Sequence, residues 1–450
     1  MRKRLTLVSV LALGAAFLAA PAVAHPDGEH EGKYDGVVTK PWAEYEEIAS
    51  SSSGNGNAPT THAPCIRGMA AGVFPCDGID MLSFVPHALL GTTFVNDIWG
   101  WTDPETGSEY ALVGAGEGTV FVDITDPKRP DVLGILPTHT SDFFAWRDIK
   151  VFDNHAFVVS EDNFHGMQVF DLTQLRDWDG TYTIYENTAH YDEINSAHNI
   201  AINEDTGYAY AVGVRNFGTC NGGLHMIDIN DPTNPTFAGC WEGDGYIHDT
   251  QCVIYEGPDA DYQGRELCFN SAASATSPAA LHRVTITDVT DKSNPVSVGS
   301  SFYPDPGYSH QGWLTPDQEY FLHGDELDEQ THGHGTKTRI FDVRDLENPT
   351  LIGVFENETT SIDHNIYTKG RLSFHSNNTS GLRVYDTRNV AEGELSEIAY
   401  FDVYPENDNA TFEGGTWSNY PYYSKGNVVA VSSIDRGLFV LKVRSGLMNN

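Results

Sequence analysis

Four histidines recur along the chain, His198, His248, His310 and His364, each followed by an amide or a carboxylate: Asn199, Asp249, Gln311 and Asn365. A neutral imidazole is a ligand for zinc, copper, iron or nickel. A neighbour that accepts the other ring N–H fixes the tautomer and orients the ring. Brought together, the four rings could hold a divalent transition metal and support a metal-dependent enzyme. The competing role of a repeated histidine is structural, as a hydrogen-bonding group between repeats. A second candidate is the acidic stretch Asp325 to Glu329 with His332 and His334 beyond it. It reads as a solvated loop, or as a further metal or Ca²⁺ site. His25, once exposed as an N-terminus, could chelate through its amine and ring. Trp99, Trp101, Trp146, Trp313 and Trp417 either pack between repeats or floor a pocket for sugars or other flat ligands. No Gly-x-Ser-x-Gly, Walker loop, dinucleotide fingerprint or His-Glu-x-x-His occurs, so no catalytic or cofactor-binding residue is assigned.

The elements that must position these residues are visible as a repeat. One short strand is written seven times: Gly118–Asp123, Gly166–Asp171, Gly223–Asp228, Arg283–Asp288, Lys337–Asp342, Gly381–Asp386 and Gly437–Lys442. The spacing is near fifty residues, and period-2 patterning with β-branched and aromatic residues marks strands throughout. That is the pattern of a β-propeller with one four-stranded blade per copy. Asp126-Pro127, Asp231-Pro232, Asn294-Pro295 and Asn348-Pro349 mark turns into the outer strands. The seventh blade runs out of chain before its outer strand. Met81–Val85, which precedes the first blade, is expected to supply that strand and close the ring. The predicted fold is therefore all-β: a seven-bladed propeller of four-stranded blades closed by an N-terminal strand.

Aligning the first strands gives one column of Asn96, Arg147, His198, His248, His310, His364 and Thr416. The next column reads Asp97, Asp148, Asn199, Asp249, Gln311, Asn365 and Trp417. First strands line the channel of a propeller, so the histidines should converge on its axis. Neighbouring residues of a regular strand point to opposite faces, which would turn the second column away from the first.

The ends and composition bound the setting. Arg2-Lys3-Arg4, the apolar run Leu5 to Ala20 and Ala22-Val-Ala24 read as a secretory leader cleaved after Ala24. Residues 25–64 are polar and expected to be a flexible extension; residues 65–445 form the propeller and 446–450 a tail. No other stretch is apolar and long enough to span a membrane. The protein should be exported, to the periplasm or beyond the cell. Six cysteines in an exported chain suggest three disulfides, and nearness favours Cys65–Cys76, Cys220–Cys240 and Cys252–Cys268, the last joining neighbouring strands. The net charge of −37 argues against nucleic-acid binding and fits a solvated acidic surface.

Several stretches together resemble the exported choice-of-anchor B family, with its LVIVD-type repeats. They are Phe74-Pro-Cys76, Asp97-Ile-Trp-Gly-Trp101, Glu109-Tyr-Ala-Leu-Val-Gly114, Trp146-Arg-Asp-Ile-Lys150, His165-Gly-Met-Gln-Val-Phe-Asp171, Gly307-Tyr-Ser-His-Gln-Gly-Trp313 and Asp363-His-Asn365. The resemblance covers about residues 65–442. It implies the propeller and no particular reaction. The family is named for variable C-terminal anchors, and Ser445 to Asn450 does not look like one. The leading expectation is an exported binding module that meets an unknown ligand or protein partner at its channel mouth and loop face. The alternatives are a metal-dependent enzyme with the four-histidine axial site and a structural cell-surface module.

Overall fold

The computed structural model describes residues 61–448 apart from 141–142, 215–218, 274–280 and 425. The expected leader, His25 and nearly all of the expected extension lie outside the described residues.

Seven antiparallel sheets follow one another along the chain. Their inner strands are Val95–Thr102, Arg147–Phe152, Asn199–Asn203, Ile247–Ile254, Ser309–Leu314, Ile366–Lys369 and Thr416–Tyr420. Each blade then steps outward through a second, third and outer strand, and the repeated sequence is the third. Its terminal aspartate has a local task. In six blades the carboxylate accepts the backbone N–H two residues on: Thr125 on Asp123, Thr173 on Asp171, Asn230 on Asp228, Thr290 on Asp288, Arg344 on Asp342 and Arg388 on Asp386. This Asx turn ends the strand and starts the bend to the outer one. The outer strands of blades three to five bulge at Ala238, Val298 and Ile352, each just before a glycine, Gly239, Gly299 and Gly353. A Cβ there would collide with backbone of the next blade, at Lys292, Leu346 and Gly393 respectively. Glycine lets adjacent blades close on each other.

The ring closes as the sequence suggests. Ile79–Pro86 pairs antiparallel with Gly437–Val443 and completes the seventh blade. Phe84 is fully buried, with its ring 4.6 Å from Phe439. Phe74–Asp77 adds to the outer edge of blade six, against Ser396–Phe401. Phe74 stacks between Phe401 at 5.6 Å and Phe439 at 5.3 Å, so N-terminal sequence bridges the last two blades. Residues just before Cys65 also pair with the propeller: Ala63 exchanges backbone hydrogen bonds with Met81.

All three disulfides form with the pairing that nearness favours: Cys65–Cys76, Cys220–Cys240 and Cys252–Cys268. Cys252 and Cys268 face each other on the first two strands of blade four. Among the described residues no helix is long and apolar enough to cross a membrane.

Candidate functional site

The inner strands open with an irregularity that decides what lines the channel. In blades four, five and seven an extra residue bulges out of the pairing: His248 between Ile247 and Asp249, His310 between Ser309 and Gln311, and Trp417 between Thr416 and Ser418. A bulge re-aims side chains. In these three blades the two residues of a pair are therefore not held to opposite faces as in a regular strand. The bulge in blade seven corrects the alignment there. Trp417, not Thr416, continues the histidine column, with its ring 4.8 Å from His364. Ser418 takes the next place and accepts from Asn365 Nδ2 at 2.9 Å.

The first layer is an arc of rings. His198 and His248 are 4.2 Å apart by ring centroid, His248 and His310 4.4 Å, and His310 and His364 4.3 Å. Two of the tautomers are set by groups other than the following residue. His198 Nδ1 donates to Glu161 at 2.8 Å, and His248 Nδ1 to the carbonyl of His310 at 3.0 Å. Glu326, from the corner after the second strand of blade five, puts Oε1 3.6 Å from both His310 Nε2 and His364 Nε2. Burial, then the neighbouring rings, holds His310 well below the usual imidazole range; burial holds His364 down to about 3. Burial and nearby Asp325 push Glu326 up to about 8.

The second layer stitches blade to blade. Asn199 Nδ2 donates to the His248 carbonyl at 3.0 Å, and Asp148 Oδ2 accepts the Ile200 N–H at 2.7 Å. Gln311 grips both backbone groups of Ile366, donating at 3.1 Å and accepting at 2.8 Å. A buried cation sits among the carboxylates here: Lys150 Nζ is 2.5 Å from Asp148 and 3.7 Å from Asp97. Burial raises Asp97 well above the usual carboxylate range, Asp148 adding to the rise and Lys150 opposing it. Burial acts on Asp148 too, but Lys150, the bond to Asp97 and the Ile200 N–H outweigh it and leave Asp148 below the usual range. Burial and the charge of Asp148 push Asp249 up to about 7.

The third layer lies three residues beyond the histidine column. It reads Trp99, Lys150, Ala201, Gln251, Trp313, Tyr367 and Tyr420. Trp99 meets Tyr367 at 5.7 Å and Tyr420 at 5.1 Å, and Trp313 meets Tyr367 at 4.9 Å. Lys150 Nζ lies 4.6 Å over the Trp99 ring, a cation–π contact. All of these residues but Tyr420 line a cavity of about 470 Å³ that reaches Asp249 and Glu204. A second space of about 510 Å³ shares Trp99 and Trp313 and runs on to Tyr420 and Tyr422. Of the five tryptophans singled out, Trp99 and Trp313 thus reach a pocket. Trp101 stacks on Tyr110 at 5.1 Å, Trp146 lies against Phe144 at 5.7 Å, and Trp417 ends the histidine arc.

The acidic stretch of blade five splits into separate tasks. Asp325 accepts from the Tyr303 hydroxyl and the N–H groups of Gly307 and Tyr308. Asp328 pairs with buried Arg339 at 2.5 Å, so a protein cation already sits beside it. His334 Nε2 is 3.5 Å from the same carboxylate, while His332 is exposed. Sequence reasoning missed Glu161 and Lys150, and placed Glu326 in a separate acidic candidate rather than beside the histidines. Lys150 carried a signal, as the one cation in a column otherwise rich in aromatics. Glu326 arrives from a corner and carried none beyond its acidic neighbourhood.

A family model described as the LVIVD repeat matches residues 195–242, the span of blade three. No curated protein matches the chain. A solved structure described as U3-55K is similar at a TM-score of 0.49 and 9% identity, over 80% of this chain and 98% of that one. The repeat match names the repeat and does not extend to the choice-of-anchor B name. The chain is a seven-bladed β-propeller whose third blade matches the LVIVD repeat.

Proposed function

We propose that this protein is an exported binding module whose channel mouth takes a neutral saccharide. The observation that carries the reading is the cavity of about 470 Å³ walled by Trp99, Trp313 and Tyr367, with Gln251, Asp249 and Lys150 among a lining otherwise rich in polar groups such as Asn203, Glu204 and Gln318. Small-molecule sites fall in this size range and combine apolar walls with a few convergent polar groups. Aromatic faces suit the C–H faces of a sugar ring, while amide and carboxylate groups suit its hydroxyls. Lys150 is compensated by Asp148, so no uncompensated cation is on offer for an anionic ligand. A net charge of −37 disfavours anions at longer range as well. The leader-like N-terminus and the three disulfides support export. A saccharide panel read by calorimetry tests the reading. Binding of a neutral sugar with micromolar to millimolar Kd is expected. A panel in which nothing binds, or only anionic sugars bind, refutes it.

A further inference from the structure

At the other end of the inner strands from this cavity, His310 poses a separate question. It is 2% exposed, and its Nδ1 has no hydrogen-bond partner among the described residues. Its Nε2 is 3.6 Å from Glu326 Oε1, longer than a hydrogen bond. A buried ring nitrogen without a partner carries a desolvation cost with nothing to offset it. His248 beside it donates through Nδ1 to the His310 carbonyl at 3.0 Å, which places its lone pair on Nε2. Ligating atoms of His248, His310 and Glu326 all lie within 4.8 Å of one another.

We propose that His248, His310 and Glu326 form a binding site for a divalent first-row transition metal, zinc or ferrous iron. Two imidazoles and one carboxylate are the ligand set of His₂Glu zinc centres and of facial-triad iron sites. The site differs from four rings around one axial ion, because the third ligand is a carboxylate from a corner. Metal–ligand bonds of about 2.0–2.1 Å set tetrahedral ligands roughly 3.3 Å apart. The 3.6 Å between His310 and Glu326 nearly meets this, and the remaining separations need closing by no more than about 1.5 Å. Supporting groups hold two of the three ligands: the His310 carbonyl orients His248, and Asp325, tied down by Tyr303, Gly307 and Tyr308, fixes the corner that carries Glu326, while His310 Nδ1 has no acceptor among the described residues. His198, oriented by Glu161, and His364, also 3.6 Å from Glu326, flank the three.

The test uses the mature protein stripped with a chelator and titrated with Zn²⁺, and with Co²⁺ read by its visible absorption. One equivalent per chain is expected. Glu326→Gln and His310→Ala should each weaken binding by roughly 100-fold or more, beyond the 10–100-fold of losing an outer supporting group. His155→Ala, at the start of the second strand of blade two, should leave it unchanged. Circular dichroism and a thermal melt confirm that each variant is folded. Glu326→Gln, which keeps the side-chain shape, decides the matter if His310→Ala does not fold. No uptake at roughly 100 µM metal, or uptake that Glu326→Gln leaves unchanged, overturns the site. Saccharide binding is a separate readout, so this failure and that of the proposed function are distinguishable.

Discussion

Replacing Phe84 with Ala should cost about 3–5 kcal/mol of unfolding free energy. Phe84 sits on the strand that closes the ring, is fully buried, and lies 4.6 Å from Phe439 on the neighbouring strand of blade seven. Truncation leaves a cavity between two strands that are distant in sequence and joined only by the closure. The loss should be shared with Phe439→Ala. In a double-mutant cycle the two changes should fall short of additivity by about 0.5–1.5 kcal/mol, the worth of an aromatic pair beyond its buried area. Guanidinium unfolding of the mature protein with its disulfides intact, followed by tryptophan fluorescence, supplies each value. Val296→Ala, on the outer strand of blade four at 45% exposure, is the control and should change stability by under about 0.5 kcal/mol. A Phe84→Ala loss below about 1 kcal/mol, or strict additivity with Phe439→Ala, would show that the strand does not hold the ring shut.

Lys150→Met should destabilise by about 3–5 kcal/mol, because it leaves Asp148 buried without its cation; adding Asp148→Asn should restore part of the loss in the same thermal melts. Acid should weaken the fold through its buried histidines. His165, which accepts from Arg147 Nη1 at 3.1 Å, is held down to about 3 by burial and then by that guanidinium. The unfolded chain takes up a proton near pH 6.5 that the native state refuses, so this contribution is complete above pH 6.5 and is lost as pH falls toward 3. The stability of the native protein relative to His165→Gln should then decline by about 1.4 kcal/mol per pH unit across that window; parallel curves would contradict it. Replacing Cys252 and Cys268 together with Ala should cost about 2–4 kcal/mol in denaturant, and a thiol titration of the unfolded native protein should find no free cysteine.

The propeller was legible because each blade repeats a local device. An aspartate that ends the third strand by capping its own turn must recur wherever that turn recurs, and so it marks six blades. The closing strand was legible by subtraction, since blade seven lacked an edge and Met81–Val85 lacked a partner. The first residues of the inner strands were harder. A bulge changes the count of residues by one without leaving a compositional mark, so Thr416 stood in the column that belongs to Trp417. The same bulge breaks the period-2 rule of a regular strand at these positions. Glu161 and Glu326 were hidden for a topological reason: each reaches a ring of another strand from a corner, 37 residues before His198 and 16 residues after His310. Spacing on one strand carries no information about such meetings. The aromatic layer shows the same limit, because Trp99 and Trp101 share a strand, yet one walls the cavity and the other packs on Tyr110.

A ligand held between Trp99 and Trp313 at the channel mouth, as proposed, can be followed by one fluorescence titration. The best saccharide from the panel is titrated into the mature protein, Trp313→Ala and Trp101→Phe. Trp313 walls the cavity, whereas Trp101 lies against Tyr110 away from it. The expected result is a saturable change in tryptophan emission, at least tenfold weaker binding in Trp313→Ala, which is about 1.4 kcal/mol, and native affinity in Trp101→Phe. Equal affinity in all three proteins would place the ligand elsewhere and contradict the proposal.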